Sequence, residues 1–284
     1  MYDVAIIGTG PAGISAALTL KALNKDLILF GSGQLSEKIR KAESIRNYPG
    51  LAAVSGGEMQ QSFLQQLKQM EIAVTEKTVT GVYAMGDYYG VVCNQEVFET
   101  KTVILATGVE SVKPVTGELE FLGRGVSYCA TCDGFLYKGK TIAVVCTSAA
   151  FEHEIDYLAD LAETVYLFPL YRDPGIHREN VRICAGMPTE VQGQRKVERL
   201  IAGGERLAVD GVFFLKSAVS PAALVPGLVV EQGHVVVDRG CKTNLPGCFA
   251  AGDCTGRPYQ YVKAAGEGNV AAHAAVQFLA EKAK

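Results

Sequence analysis

The feature that most constrains the fold is a glycine-rich loop, Gly8-Thr9-Gly10-Pro11-Ala12-Gly13, between a short apolar run and a stretch of helix-forming residues. This G-x-G-x-x-G pattern predicts a strand, a tight turn and a helix that together bind a dinucleotide. Gly8 allows the turn, Gly10 leaves room for a pyrophosphate, and Gly13 lets the helix pack on the strand. One part of the pattern is missing. About 20 residues further on, where an acid usually binds the ribose, the chain has Phe30-Gly31-Ser32.

The order of the predicted elements indicates an α/β protein with two dinucleotide-binding-like domains of the three-layer Rossmann type, the second inserted in the first. Two strand–helix–strand runs, near residues 3–30 and 141–168, carry this prediction. A chain of 284 residues is long enough for two such cores. Helices are predicted at 12–24, 57–70, 150–161 and 262–281, and the later strands at 181–184, 189–193, 207–215, 234–238 and 248–251.

Composition and charge exclude several classes of protein. The net charge of -3 and the isoelectric point near 5.9 argue against a strongly basic nucleic-acid binder. No apolar run reaches about 18 residues, so no membrane span is expected. Met1-Tyr2-Asp3 leads directly into a strand pattern without a basic or apolar signal region. We therefore expect a cytoplasmic protein whose eight cysteines are mostly reduced thiols.

The second informative motif is Cys129-Ala130-Thr131-Cys132-Asp133. Two cysteines at this spacing can close a small, reducible ring, and the aspartate is placed to move a proton as the ring opens and closes. Half of a zinc site and a purely structural pair are the alternatives, but no metal is expected because no second pair has zinc-ligand spacing. A third motif ends a short apolar strand at Gly252-Asp253, where a carboxylate can accept from a ribityl hydroxyl.

Together with Asn47-Tyr48-Pro49-Gly50 and Ala106-Thr107-Gly108, these motifs resemble the low-molecular-weight flavin thioredoxin reductases over nearly the whole chain and in the same order. CATCDG at 129–134 is the most specific match. The resemblance implies a discontinuous FAD-binding domain, 1–114 and 213–284. It also implies a central redox domain, 115–212, that carries the dithiol.

The resemblance also implies roles for individual residues. Cys132 would face the flavin, Cys129 would attack the disulfide of thioredoxin, and Asp133 would be the acid/base. A homodimer is expected, as is a rotation of the central domain about its two chain crossings, near Gly117 and Gly211. The residues that would line FAD are Gly8, Gly10, Pro11, Ala12, Gly13, Gly33, Gln34, Leu35, Asn47, Gly108, Gly252, Asp253 and Gln260.

The central domain departs from the family at its nucleotide loop. The strand there is followed by Cys146-Thr147-Ser148-Ala149-Ala150, in which side chains replace the loop glycines and obstruct a pyrophosphate. Phe168-Pro169-Leu170-Tyr171-Arg172 stands where the family has the basic cluster that holds a 2′-phosphate. The chain therefore resembles the subgroup that lacks both NADPH motifs and takes electrons from reduced ferredoxin.

Three functions remain open at this point. The first is electron transfer from ferredoxin through FAD and the cysteine pair to thioredoxin, with an acidic ferredoxin docking on Lys38, Arg40, Lys41 and Arg46. The second is an NAD(P)H-dependent thioredoxin reductase with an unusual nucleotide loop. The third is a flavin redox sensor without steady turnover.

Overall fold

The computed structural model of the chain describes residues 1–40, 42–93, 96–109, 114–216 and 221–282. The described residues form two compact units, the first within Met1–Val109 and Ser220–Lys284 and the second within Glu110–Val219. The helices are α1 (Pro11–Ala22), α2 (Glu37–Arg40), α3 (Gly56–Gln69), α4 (Ala130–Asp133), α5 (Glu152–Leu161), α6 (Pro221–Leu224) and α7 (Tyr261–Lys282). The strands are β1 (Tyr2–Ile7), β2 (Leu27–Phe30), β3 (Val74–Thr75), β4 (Gly81–Ala84), β5 (Tyr89–Cys93), β6 (Glu96–Leu105), β7 (Val126–Ser127), β8 (Thr141–Cys146), β9 (Thr164–Pro169), β10 (Val181–Ile183), β11 (Pro188–Gly193), β12 (Val197–Ala202), β13 (Glu205–Ala208), β14 (Gly211–Leu215), β15 (Val230–Glu231), β16 (His234–Val235) and β17 (Cys248–Ala250).

The main sheet of the first unit is built on parallel strands in the order β3-β2-β1-β6. Strand β6 is long enough to have two neighbours on its far side. Its first half pairs antiparallel with β5, and its second half pairs parallel with β17. Because these five strands run in the same direction, their carboxyl ends lie along one edge of the sheet, where such folds bind ligands.

Alternation of side chains along the central strands explains the layers of both units. In the first unit, Val4 and Ile6 pack with α1, α3 and α7 on one face, whereas Ala5 and Ile7 face the layer that contains β4 and β5. In the second unit, Val144 packs with α5, whereas Val145 packs with β11 and β12. Both units are therefore three-layered and contain a parallel sheet, which confirms the predicted fold class.

The second unit holds the parallel sheet β10-β9-β8-β14-β7 and the antiparallel sheet β11-β12-β13. The prediction of one strand over 207–215 is wrong, because β13 and β14 belong to different sheets. Between them, the backbone of Asp210 donates to Thr141 O over 2.7 Å, and its side chain accepts from Thr141 N over 3.2 Å. These bonds redirect the chain from one sheet to the other. The sequence analysis also missed β12, in which Glu198 and Arg199 interrupt the apolar alternation.

Gly117 and Gly211, predicted as hinge positions, are required by packing within the second unit. A Cβ on Gly117, whose φ is +80°, would lie 2.2 Å from Val191 O. A Cβ on Gly211 would lie 2.3 Å from the ring of Tyr137. The absence of a side chain at both positions therefore has a local explanation. The rotation of the central domain stays a prediction.

A buried ion pair joins two distant segments of the second unit. Lys216 Nζ lies 2.5 Å from Glu118 Oε1, and the two side chains are only 5% and 1% exposed. The same oxygen accepts from Tyr128 Oη over 2.6 Å, while Glu118 Oε2 accepts from Val115 N over 3.0 Å. Removing one partner of a buried, hydrogen-bonded ion pair strongly destabilises the folded protein, because the other charge stays buried without compensation.

Among the described residues, no helix is both long and apolar enough to cross a bilayer.

We expect Lys216→Met to lower the free energy of unfolding by about 3–5 kcal/mol, because it leaves the Glu118 carboxylate buried without its cation. The double variant Lys216→Met with Glu118→Leu should recover most of this loss. Urea unfolding of both proteins measures the effect, with Lys138→Met on the exposed surface as the control. If Lys216→Met were as stable as Lys138→Met, the stabilising role assigned to the buried ion pair would be contradicted.

Candidate functional site

The carboxyl edge of the first sheet begins with the predicted glycine loop. Strand β1 ends at Ile7 and α1 begins at Pro11. A Cβ on Gly8, whose φ is +120°, would lie 2.2 Å from Ala106 O, and one on Gly13 would lie 1.8 Å from Gly8 O. A Cβ on Gly10, in contrast, would meet no atom within 4 Å. Two of the glycines are therefore required by packing, and the third leaves open space above the helix.

The start of α1 suits an anion. Its N-cap is Gly10, for which no side-chain cap is found among the described residues, and Pro11 at the first position has no N–H group. The N–H groups of Ala12 and Gly13 in the first helical turn lie at the positive end of the helix dipole. The space above Gly10 and the N–H groups of this first turn together fit the pyrophosphate of a dinucleotide.

The remaining predicted cofactor residues follow the other parallel strands. Gly33, Gln34 and Leu35 lie after β2, Gly108 lies after β6, and Gly252 and Asp253 lie after β17. All of them belong to the first unit.

Two further residues, far apart in the sequence, are brought into direct contact at this site. Asn47 Nδ2 donates to Gln260 Oε1 over 2.7 Å. Gln60, a buried residue that the sequence analysis missed, donates to the backbone carbonyl of Gln34.

The loop at Gly252-Asp253 is held by side chains from α7 that the sequence analysis also missed. Glu267 Oε2 accepts from Gly252 N over 2.8 Å. Lys263 Nζ donates to Gly252 O over 2.9 Å and to Gly256 O over 2.8 Å. The charged groups of Lys263 and Glu267 lie 3.1 Å apart. Their spacing of four residues within a predicted helix is the sequence signal by which this pair could have been found. Burial raises the pKa of the Asp253 carboxyl, an effect that the nearby Lys38 and Lys263 ammonium groups oppose.

The cysteine pair lies in the second unit, directly after β7. Cys129 and Cys132 form a disulfide, and Cys129 caps the short helix α4, where the N–H of Cys132 donates to Cys129 Sγ over 3.1 Å. Cys129 is buried and Cys132 is half-buried. Among the described residues, no group of three or more metal-ligating side chains is found.

Asp133 is tied to the disulfide through Ser127. The Ser127 hydroxyl donates to Asp133 Oδ2 over 2.7 Å and accepts from Cys129 N over 3.0 Å. This buried serine orients the carboxylate beside the cysteine pair. Ser127 could not be predicted from the sequence, because a serine two residues before the motif carries no signal without its contacts.

The loop after β8, at the corresponding edge of the second sheet, contains no glycine between Cys146 and Glu152. After β8 ends at Cys146, the thiol donates to Ser148 O over 3.2 Å, and Ser148 Oγ accepts from Ala150 N over 3.3 Å. Burial raises the pKa of the Cys146 thiol. At the first residue of α5, Glu152 Oε1 accepts from Tyr171 Oη over 3.0 Å and from Gly175 N over 2.9 Å. A carboxylate of the chain itself therefore lies at the start of α5.

Cys248 and Cys254 are buried, small side chains. Burial raises the pKa of the Cys248 thiol to about 12 and that of the Cys254 thiol to about 11, so both stay protonated near neutral pH. Cys254 Sγ donates to the backbone carbonyls of Leu105 and Ala251 over 3.4 and 3.3 Å. These contacts favour a packing role over metal or redox chemistry.

Comparison with known proteins agrees with this geometry. Residues 2–148 and 176–268 match the family described as pyridine nucleotide-disulphide oxidoreductase. The chain belongs to this family. A thioredoxin reductase from Helicobacter pylori is 33% identical over 98% of this chain and 99% of its own length. One from Listeria innocua is 30% identical over 99% of this chain and 95% of its own length.

Solved structures extend the similarity. A ferredoxin-flavin thioredoxin reductase from Clostridium acetobutylicum is 47% identical with a TM-score of 0.90, covering 99% of this chain and 98% of that one. A thioredoxin reductase from Gloeobacter violaceus is 27% identical with a TM-score of 0.78, covering 100% of this chain and 95% of that one. These matches confirm the resemblance found from the motifs and the prediction of an oxidoreductase enzyme.

Two glycine substitutions should separate folding from cofactor binding. We expect Gly10→Ala to leave the fold intact, because the added methyl group meets no atom, and to weaken retention of the expected flavin about tenfold by filling the open space. Gly13→Ala should instead lower stability by about 1–3 kcal/mol, since its Cβ would clash with backbone. Flavin absorbance and thermal unfolding measure the two effects. If the two variants had the same flavin retention and the same thermal stability, the assignment of the dinucleotide site to this loop would be contradicted.

Proposed function

We propose that the protein is a ferredoxin-dependent thioredoxin-disulfide reductase that passes electrons from reduced ferredoxin through FAD and the Cys129–Cys132 pair to thioredoxin. The single observation that carries the choice of donor is the position of Glu152 at the start of α5. A pyridine nucleotide in a dinucleotide-binding fold places its pyrophosphate at this helix end. The negative charge of the Glu152 carboxylate, held near this helix end by Tyr171 and Gly175, opposes a second anion there.

FAD is the dinucleotide that the first unit would hold. The space above Gly10, the first-turn N–H groups of α1 and the carboxylate of Asp253 fit its pyrophosphate and ribityl chain. Bound FAD would supply a redox group that accepts single electrons and transfers them in pairs. The similar protein from Clostridium acetobutylicum is described as a ferredoxin-flavin thioredoxin reductase, which supports a flavin cofactor and a ferredoxin donor here.

The chemistry at the cysteine pair follows from its contacts. Two electrons and two protons convert the disulfide to a dithiol. The N–H of Cys132 that donates to Cys129 Sγ favours a thiolate on Cys129, which attacks the disulfide of thioredoxin to form a mixed disulfide. The Cys132 thiolate then attacks Cys129 Sγ, releases the partner's dithiol and restores the ring. Asp133, held by Ser127, exchanges the protons.

Partner surfaces are part of the proposal. Phe135 and Leu136 follow the dithiol motif and are 62% and 52% exposed, which suits contact with another protein such as thioredoxin. For ferredoxin, Lys38 and Arg46 of the predicted basic segment already form hydrogen bonds to Val109 O and Ser44 Oγ. Lys41 lies outside the described residues. Docking on this segment and the homodimer stay predictions.

The donor is tested by mixing the purified flavoprotein anaerobically with reduced ferredoxin, NADPH or NADH. We expect ferredoxin to bleach the flavin and both pyridine nucleotides to leave it oxidised, because Glu152 opposes a phosphate at the helix end. Stopped-flow absorbance follows the bleaching. Rapid bleaching by NADPH would overturn the donor and favour the NAD(P)H-dependent alternative.

The cysteine roles are tested with Cys129→Ser and Cys132→Ser. Both variants should lose thioredoxin reduction, but only Cys132→Ser, which keeps the attacking thiol, should form a mixed disulfide with oxidised thioredoxin. Non-reducing electrophoresis measures the adduct. Cys184→Ser, at a free and half-buried cysteine, is the control and should keep full activity. A stable adduct with Cys129→Ser instead would reverse the two roles.

A further inference from the structure

The dinucleotide site of the first unit lacks its usual ribose-binding acid. In this fold a carboxylate at the end of the second strand binds the hydroxyls of the adenosine ribose. Here β2 ends at Phe30, and Gly31 and Ser32 follow. Neither residue has a carboxylate. If the site holds FAD as proposed above, another group must accept these hydrogen bonds or they are absent.

The neighbouring strand places a carboxylate at the same edge. Strand β3 lies beside β2 in parallel, with Phe30 opposite Thr75, and Glu76 follows directly. The backbone continues this pairing, since Gly31 N donates to Thr75 O over 3.2 Å. Glu76 therefore leaves the sheet at the carboxyl edge, one strand away from the usual position.

The side chain of Glu76 turns towards the loop after β2. Its Oε2 accepts from Gly33 N over 3.1 Å. A Cβ on Gly33 would lie 2.6 Å from Glu76 Oε1, so the glycine makes room for the carboxylate. Within the described residues, Oε1 accepts no hydrogen bond, and Glu76 is exposed. The adjacent cation, Lys77, pairs with Glu96 instead. One oxygen is thus anchored and the other is open to a ligand.

We propose that Glu76 replaces the missing acid and accepts hydrogen bonds from the adenosine ribose hydroxyls of FAD. This inference rests on the proposed flavin function. A carboxylate anchored through one oxygen presents the other as an acceptor for a vicinal diol. The acid can come from the end of β3 because β2 and β3 are parallel and adjacent, so both end at the same edge of the sheet.

The test measures binding of FAD to protein from which the flavin has been removed. Flavin fluorescence gives the affinity for FAD and for an analogue whose adenosine carries 2′-deoxyribose. Wild-type protein should bind FAD about tenfold or more tightly than the analogue, a typical effect of a charged hydrogen bond. Glu76→Ala should bind FAD about tenfold more weakly than wild type and no longer distinguish the two ligands.

Controls separate the possible outcomes. Glu99→Ala removes an exposed carboxylate from β6 and should behave as wild type. Glu76→Gln keeps the shape of the side chain and guards against a folding defect, which thermal unfolding of the apoproteins would reveal. Continued discrimination against the analogue by both Glu76 variants would overturn the proposal. Failure of wild-type protein to bind any flavin would instead overturn the proposed function.

Discussion

The common direction of the parallel strands is the constraint on which both units depend. In the first unit, five strands end along one edge, so the loops after β1, β2, β6 and β17 come together although their residues are far apart in the chain. Gly8 and Gly13 then set the distance between strand and helix, because a Cβ on either would overlap backbone atoms. The space above Gly10 is what this packing leaves.

The second unit repeats the same architecture with a different outcome at its edge. Strand β8 and helix α5 stand in the relation of β1 and α1. In the loop between them Ser148 Oγ accepts from Ala150 N, and at the first residue of α5 the Glu152 carboxylate accepts from Tyr171 Oη and Gly175 N. A helix start attracts anions, and here the chain supplies its own. The unit therefore has the same fold as the first and carries the cysteine pair, whereas the loop after β8 has hydroxyl side chains in place of glycines and is followed by the Glu152 carboxylate.

Much of this could be predicted from local patterns. The glycine loop, the cysteine spacing and the apolar runs at β1 and β8 depend on residues that are close together in the chain, so the sequence alone predicts the structure they form. The polar residues of β12 mask its alternation, so the local pattern does not predict this strand. The pattern over 207–215 predicts one strand, because the break at Asp210 depends on a distant partner, Thr141. The first error arises from the local pattern itself, and the second from a contact that the local pattern does not contain.

The sequence by itself determined the α/β class, the dinucleotide loop at Gly8–Gly13, the reducible pair at Cys129 and Cys132, and the loss of the second glycine loop. Only the tertiary structure decided which side chains lie beside these motifs: Ser127 beside Asp133, Glu152 beside Tyr171 and Gly175, and Glu76 beside Gly33. The physical reason is that covalent neighbours set backbone conformation, whereas hydrogen-bond partners of charged groups are selected by strand order and register.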